Sequence, residues 1–417
     1  MRIAILTTGT RGDVQPLVAL GAALAQRGHA VAMTTPRDLV AFAEAGGIAA
    51  VPLPFGAQEV LHSEFGQRFV EDGSLLAFAR ALMRLDAEHR PQLVEAFARA
   101  GEDAEVVIAH PLMVGPALAV VAARGARLVR VALGPTVPTR ELPFPLIDVG
   151  DLGGALNRLS AVFLLGTLGR GGAATACATA ARLGVTPPRG NVHARAEELA
   201  ALTLHLYSEV LQPRPRDWPS HHIVTGALVL DPATRAQLGE GAPPSGLEEW
   251  LAAGDAPVFF GFGSMPVRDP SRLLAIVDDV CAELDVRGLV GAGWSALRPS
   301  GGRGARTFVA PAFDHDAVLP RCRAAVHHGG AGTTHAALRA GLPAVVCHFL
   351  VDQPYWARRL IANGVGARVP FRHVDAERLV TALRALLDPA VKARAEALAV
   401  RLRGDDGVAA AVRLLGA

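Results

Sequence analysis

The sequence predicts an α/β protein built from two Rossmann-like halves, and three observations predict it. The chain opens with an apolar run, Ile3-Ala4-Ile5-Leu6, a small-residue turn from Thr8 to Asp13, and a helical pattern over 14–27. That opening returns near the middle as Val258-Phe259-Phe260, the turn Gly261 to Pro266, and a helix over 273–284. Between the two, Leu211 to Pro219 carries three prolines in nine residues, which neither a helix nor a central strand tolerates. A length of 417 residues exceeds one ordinary core and suits two domains of about 200 residues each.

Taken in order, Leu17, Leu20, Gly21 and Leu24 fall at helical spacing, Gly28-His29 ends the helix, and Val31 to Thr34 is the next strand. This is a βαβ unit. Val106 to Ile108, a helix around 117–124 and the strand Leu128 to Val131 extend it. After the proline-rich segment come a short strand at His222 to Thr225 and an irregular run, Gly239 to Gly246. The second half continues with the strand Ala324 to Val326, a Gly-rich turn, a helix-like Ala336 to Ala340, and the strand Ala344 to His348. The expected domains are 1–212, a linker and start of the second domain over 213–246, and 247–417, with the last helix packing back on the first domain. Two such halves facing each other across a cleft is the most economical architecture. Doubly wound sheets bind ligands beyond the carboxyl ends of their strands, where the three Gly-rich turns fall.

Hydrophobic residues make up 51% and aromatics only 5%, so the core is expected to be rich in tightly packed alanine. A net charge of +2 excludes nucleic acid as an expected partner. Lys392 is the only lysine, an arginine bias that points to a GC-rich bacterial genome. Cys177, Cys281, Cys322 and Cys347 form no CxxC pair, which argues against a disulfide framework or zinc ribbon and for a reducing cytoplasm. Met1 to Thr7 reads as a first strand rather than a signal peptide. The longest apolar stretch, 106–123, is broken by His110 and two prolines, so no stable membrane insertion is expected.

The most informative segment is His327-His328-Gly329-Gly330-Ala331-Gly332-Thr333-Thr334. A strand that ends in a Gly-rich turn and opens a helix offers free backbone N–H groups at the positive end of a helix dipole, a ready phosphate site. Two histidines and two threonines add side-chain donors, although a plain strand-to-helix turn uses glycines in the same way. Gly263-Ser264 would add a hydroxyl and amides in the same half. Asp13, before the first helix, serves as an N-cap or as a general base. Thr10 in the same loop is the alternative cap, and Arg11 either holds a phosphate, tunes Asp13, or is a solvated charge. Asp352-Gln353 suits sugar hydroxyls or a polar turn before Pro354. Asp314-His315-Asp316 mimics a D-x-D metal motif, but Asp316 is the better helix cap. The histidines lack the spacing of a zinc site. Trp294 either stacks on a base or fills the domain.

With these residues laid out, the chain resembles the GT-B glycosyltransferases that act on sterols, glycopeptides and other lipophilic natural products. Gly9 to Pro16 is similar to the family's G-[ST]-R-G-D-V-x-P, Gly28-His29 to its G-H, and Pro213 to Gly226 to its P-x-P-x-D-W-P…V-T-G segment. Gly261 to Met265 is similar to G-F-G-S-M, His327 to Thr334 to H-H-G-G-A-G-T-T, and Asp352 to Pro354 to D-Q-P. The resemblance implies an inverting transfer of a hexose or deoxyhexose from a UDP- or TDP-sugar, without metal or other cofactor. The C-terminal half would hold the donor and the N-terminal half the acceptor. Asp13, with Thr10, would supply the base, and Arg11, Gly12, Gly263, Ser264, His327 to Thr333, Asp352 and Gln353 would hold the donor. Two departures stand out: Ala336 lies near where many relatives carry a ribose-binding Glu, and no base-stacking Trp stands beside Val309-Ala310-Pro311.

The expected acceptor is a hydrophobic hydroxylated molecule such as a polyketide, glycopeptide or sterol. Phe65, Phe69, Phe78, Phe144, Phe163 and Leu164 suit an apolar aglycone, and helix packing accounts for them about equally well. A nucleotide-sugar epimerase of the same fold and a non-catalytic donor-fold partner protein are the alternatives. A monomer and a homodimer remain equally open.

Overall fold

The computed structural model describes residues 1–63, 66, 67, 75–265, 267–294, 297 and 304–417, with backbone alone over 75–78. Phe65, Phe69, Pro266 and the Phe78 side chain therefore lie outside the described residues. The chain forms two compact units. One comprises Met1–Glu209, Pro213–Thr234 and Asp406–Ala417, and the other Val210–Gln212 and Arg235–Asp405.

The first unit is a parallel sheet of β1 (Arg2–Leu6), β2 (Ala30–Thr35), β3 (Ala49–Pro52), β4 (Val106–Ala109), β5 (Arg127–Ala132), β6 (Leu202–His205) and β7 (His222–Val224). Its order is β3-β2-β1-β4-β5-β6-β7. β4 and β6 are buried at every residue, as strands of a parallel sheet covered on both faces must be. The helices used below are α1 (Arg11–Ala25), α2 (Leu75–Ala100), α3 (Val114–Arg124), α4 (Gly154–Gly171), α5 (Ala173–Arg182) and α6 (Val192–Leu199). Leu93 and Phe97 of α2, Val114 and Leu118 of α3, and Val107 and Leu128 of the sheet share one core.

The second unit is a parallel sheet of β8 (Val258–Gly261), β9 (Gly288–Gly291), β10 (Thr307–Ala310), β11 (Ala324–His327), β12 (Ala344–Val346) and β13 (Gly366–Arg368). Its order is β10-β9-β8-β11-β12-β13. Here α7 (Pro270–Glu283), α8 (Ala331–Arg339), α9 (Gln353–Ala362), α10 (Ala376–Leu386) and α11 (Pro389–Leu402) follow, and α12 (Gly407–Leu415) ends the chain. Phe260, Val290 and Val326 from three strands pack with Val277 of α7 and Leu383 of α10.

Two boundaries differ from the sequence reading. Residues 213–234 pack with the first unit instead of forming a linker, because prolines restrict secondary structure but not burial. Trp218 is buried and stacks on His205 at 4.1 Å, and the Arg214 guanidinium donates to the carbonyls of His222, Trp218 and Pro219. The first helix starts at Arg11, not at 14, because Thr10 caps it and Asp13 lies inside its first turn. Helix α12 belongs to the first unit, where Arg127 donates to the carbonyls of Leu414 and Leu415. Among the described residues no single helix is long and apolar enough to cross a membrane.

Candidate functional site

Each sheet reverses its strand order once, between β1 and β4 in the first unit and between β8 and β11 in the second. At such a switch point the neighbouring connections leave in opposite directions and open a crevice beyond the strand ends. The chemistry-bearing residues gather at these two places.

In the first unit the crevice lies between the β1–α1 turn and the residue after β4. Thr10 is the N-cap of α1, its hydroxyl accepting the Gly12 amide at 3.3 Å. Asp13 completes a capping box: its Oδ2 accepts the Thr10 amide at 2.7 Å and the Thr10 hydroxyl at 3.2 Å. Its other oxygen, Oδ1, stands 3.5 Å from Nε2 of His110, whose side chain is 4% exposed while that of Asp13 is 30% exposed. His110 accepts the Leu112 amide at Nδ1, which leaves the N–H on Nε2, and that atom has no hydrogen-bond partner of its own. A partly open carboxylate therefore faces a buried imidazole N–H. Sequence reading passed over His110, treating it only as a break in an apolar run. The signal that could have found it is its position directly after β4, the strand beside β1.

Arg11 is engaged elsewhere than the sequence reading expected. Its Nε donates to Gln15 at 2.9 Å and its guanidinium lies 4.9 Å over the Phe42 ring. Gly12 is exposed at the same turn.

In the second unit the loop from His327 to Thr334 joins β11 to α8. Gly330 is the N-cap of α8 and provides no side chain, and the first intrahelical bond belongs to the Thr334 amide, which reaches Gly330 O at 2.9 Å. The amides of Ala331, Gly332 and Thr333 are thus left for a ligand at the positive end of the helix. The His328 ring is wedged between two backbones. A Cβ on Gly330 would fall 2.5 Å from its Nε2, and one on Gly263, whose φ is +58°, would fall 2.7 Å from its Cε1. Burial pushes His328 down to about 4 and His327 down to about 3, so both imidazoles are neutral at pH 7. Ser264 and Thr333 are half-buried at the same end of the sheet, and Trp294 is tied to it through its amide, 2.9 Å from Gly263 O.

Other expected contacts in this unit come out differently. His327 is fully buried, and its Nδ1 accepts the Gly329 amide at 3.0 Å, so it shapes the turn. The Thr334 hydroxyl is spent on Gly330 O at 2.9 Å. Gln353 is 5% exposed and turned inward: its Oε1 accepts the amides of Phe349 and Leu350, and its Nε2 lies 3.5 Å from Met265 Sδ. Gln353 therefore braces the loop, and Asp352 is left as the half-exposed member of the pair, accepting from Trp356 Nε1 at 2.8 Å. Val351 just before it holds φ +60°, a conformation that costs a β-branched residue about 1–2 kcal/mol. In Asp314-His315-Asp316 it is Asp314 that caps the short helix, while Asp316 pairs with Arg235 and Arg339.

Residues 3–119 match the glycosyltransferase family 28 N-terminal domain, and residues 310–407 the C-terminal domain of the erythromycin biosynthesis protein CIII-like family. The chain is 31% identical to sterol 3-beta-glucosyltransferase UGT80A2 of Arabidopsis thaliana, over 99% of its own length and 65% of that enzyme's. It is also 31% identical to the uncharacterized glycosyltransferase ML2348 of Mycobacterium leprae, over 100% of its length and 96% of the relative's. The fold matches spinosyn rhamnosyltransferase SpnG complexed with thymidine diphosphate at a TM-score of 0.62 and 20% identity, covering 100% of both chains.

Proposed function

The chain belongs to the glycosyltransferases of the GT-B fold, and from that premise we propose an inverting, metal-independent transfer from a uridine or thymidine diphosphate sugar to a hydroxyl of a lipophilic small molecule. The observation that carries the donor half is the start of α8. Three amides without a hydrogen-bond partner among the described residues, a wedged neutral histidine and the half-buried Thr333 and Ser264 lie at that end of the sheet. Neutral donors suit a diphosphate that gains charge as it leaves. The bound nucleotide of SpnG and the sterol named for the Arabidopsis enzyme support the two substrate classes.

In this reading Asp13 Oδ1 takes the proton of the acceptor hydroxyl. The freed oxygen attacks the anomeric carbon from the face opposite the diphosphate, which leaves with the electron pair of the broken C–O bond, so the configuration inverts. The amides of Ala331, Gly332 and Thr333, the hydroxyls of Thr333 and Ser264, and the His328 imidazole hold the leaving charge. Asp352 accepts from the sugar hydroxyls.

Melting the protein with UDP, TDP, GDP or buffer tests the donor half. A nucleotide at about a hundredfold over its Kd adds about 2.7 kcal/mol of stability. No shift with any of the three would overturn the assignment. Asp13→Asn tests the base: the amide oxygen still accepts from Thr10, so the protein should fold and bind nucleotide while turnover falls by about 10²–10⁴. A variant that turns over normally would remove Asp13 from the chemistry. Transfer is expected to be unaffected by EDTA.

A further inference from the structure

We propose that Glu197, His221 and His222 bind a zinc-like divalent ion that fastens the edge of the first sheet. Nε2 of His222 lies 2.7 Å, and Nε2 of His221 3.1 Å, from one and the same oxygen, Oε1 of Glu197. All three ligand atoms fall within 4.8 Å of one another. A tetrahedral ion about 2.0–2.1 Å from each holds its ligands about 3.3 Å apart, so each imidazole need retreat from Oε1 by only roughly 0.2–0.6 Å. Sequence spacing gave no sign of this group, because Glu197 stands 24 residues before His221 and reaches it from α6.

The ligands are held from behind. The Arg130 guanidinium donates to the other carboxylate oxygen, Oε2, which fixes the carboxylate and leaves Oε1 to the imidazoles. Nδ1 of His222 lies 3.1 Å from Nε2 of the fully buried His205, on which Trp218 stacks at 4.1 Å. With an ion on Nε2, His222 carries its proton on Nδ1 and donates it to His205, the outer hydrogen bond that orients a metal-bound imidazole. Thr203 pairs in register with Arg130 on one side and His222 on the other, so the three side chains share a face of the sheet. Its hydroxyl is buried and has no hydrogen-bond partner among the described residues. An ion with three protein ligands keeps a water in its fourth position, and Thr203 offers that water a partner.

Donor chemistry selects the ion. Two imidazole nitrogens and one carboxylate oxygen, its charge already shared with Arg130, suit Zn²⁺ and offer little to Mg²⁺ or Ca²⁺, which demand oxygen. The element it would hold is β7, three residues long, paired with β6 alone and lying at the sheet edge. An ion joining β7 to α6 fastens a strand that its own few hydrogen bonds hold weakly. β7 stands three strands from β4, about 14 Å across the sheet, so the ion lies apart from Asp13 and takes no step in transfer.

Calorimetry with Zn²⁺ on the full chain, free of any histidine tag, tests this without nucleotide, so its outcome is independent of the donor assignment. One Zn²⁺ per chain should bind, and Co²⁺ in its place should give the visible absorption of a four-coordinate site. Mg²⁺ should not compete. His221→Gln should weaken Zn²⁺ binding at least about 100-fold, the upper end of what losing an outer hydrogen-bond partner costs. The melting temperature of the metal-free variant should hold, because Glu197 keeps Arg130 and His222. His373→Gln, at an exposed histidine of the other unit, should leave the affinity unchanged. Absence of Zn²⁺ binding by the unaltered protein overturns the proposal. So does binding that survives His221→Gln, binding that His373→Gln weakens as much, or Mg²⁺ that displaces Zn²⁺ at similar concentration.

Discussion

Asp13 divides its two carboxylate oxygens between the first turn of α1 and a neighbouring imidazole. Oδ2 closes the first turn of α1 with Thr10, and Oδ1 faces His110 at 3.5 Å. The histidine is held from behind by the Leu112 amide, so its N–H has one direction to point. In the proposed transfer such a neighbour would fix which lone pair of the carboxylate meets the acceptor. His110→Ala is therefore expected to lower kcat by about 10- to 100-fold, up to the scale of a catalytic group misplaced by about 1 Å, while nucleotide affinity stays unchanged. His110→Gln, which keeps an N–H donor, should recover part of the loss. Equal losses in both variants, or a parallel loss of nucleotide affinity, would mean that His110 serves packing alone.

At the scale of an element, the first amides of α8 have no hydrogen-bond partner among the described residues. Gly330→Ala adds one methyl group 2.5 Å from His328 Nε2, where the ring is already wedged against Gly263. The ring must move, and an overpacked site of this kind costs about 1–3 kcal/mol. Nucleotide Kd, read by calorimetry, is expected to rise at least about tenfold; an unchanged Kd would show that His328 does not meet the diphosphate. Much of this element was legible in the sequence, since strand, glycines and helix follow one another without interruption. What stayed hidden was which polar atoms were free. His327, Thr334 and Gln353 have the right chemistry in the sequence, yet each is consumed by a nearby backbone group. His110 escaped for the opposite reason: its partner lies 97 positions away (110 − 13), and only the β1–β4 pairing brings them together. Short strands such as β9, Gly288–Gly291, and β13, Gly366–Arg368, left too little periodicity to read and are defined by their partners.

Over the whole molecule, the histidines decide how the protein meets acid. Each unit buries several of them neutral. In the first, His193 is pushed down to about 4 by burial, and His205 well below its ordinary value for the same reason. His222 is lowered by burial despite Glu197, whose own carboxyl is held at about 2 against the desolvation that would raise it, by His222, Arg130 and His221. In the second, His328 and His335 are pushed down to about 4 and His327 to about 3. The unfolded chain takes up these protons near pH 6.5, whereas the folded chain refuses them until about pH 4. Unfolding therefore binds protons throughout that window, and stability must fall as pH falls from about 6.5 to about 4. At about pH 5 each such histidine withdraws roughly 1–2 kcal/mol, with several acting in each unit. Glu197 adds nothing to the loss there, since its own contribution disappears only between about 4.5 and about 2. The melting temperature is thus expected to drop by about 10 °C between about pH 7.5 and about pH 5, well before the carboxylates titrate. Replacing His335, which donates to Ala331 O at 2.7 Å and meets Trp356 edge-on, with Gln should flatten part of that slope. A melting temperature that stays level down to pH 5 would show that these imidazoles are solvated enough to charge without unfolding the chain.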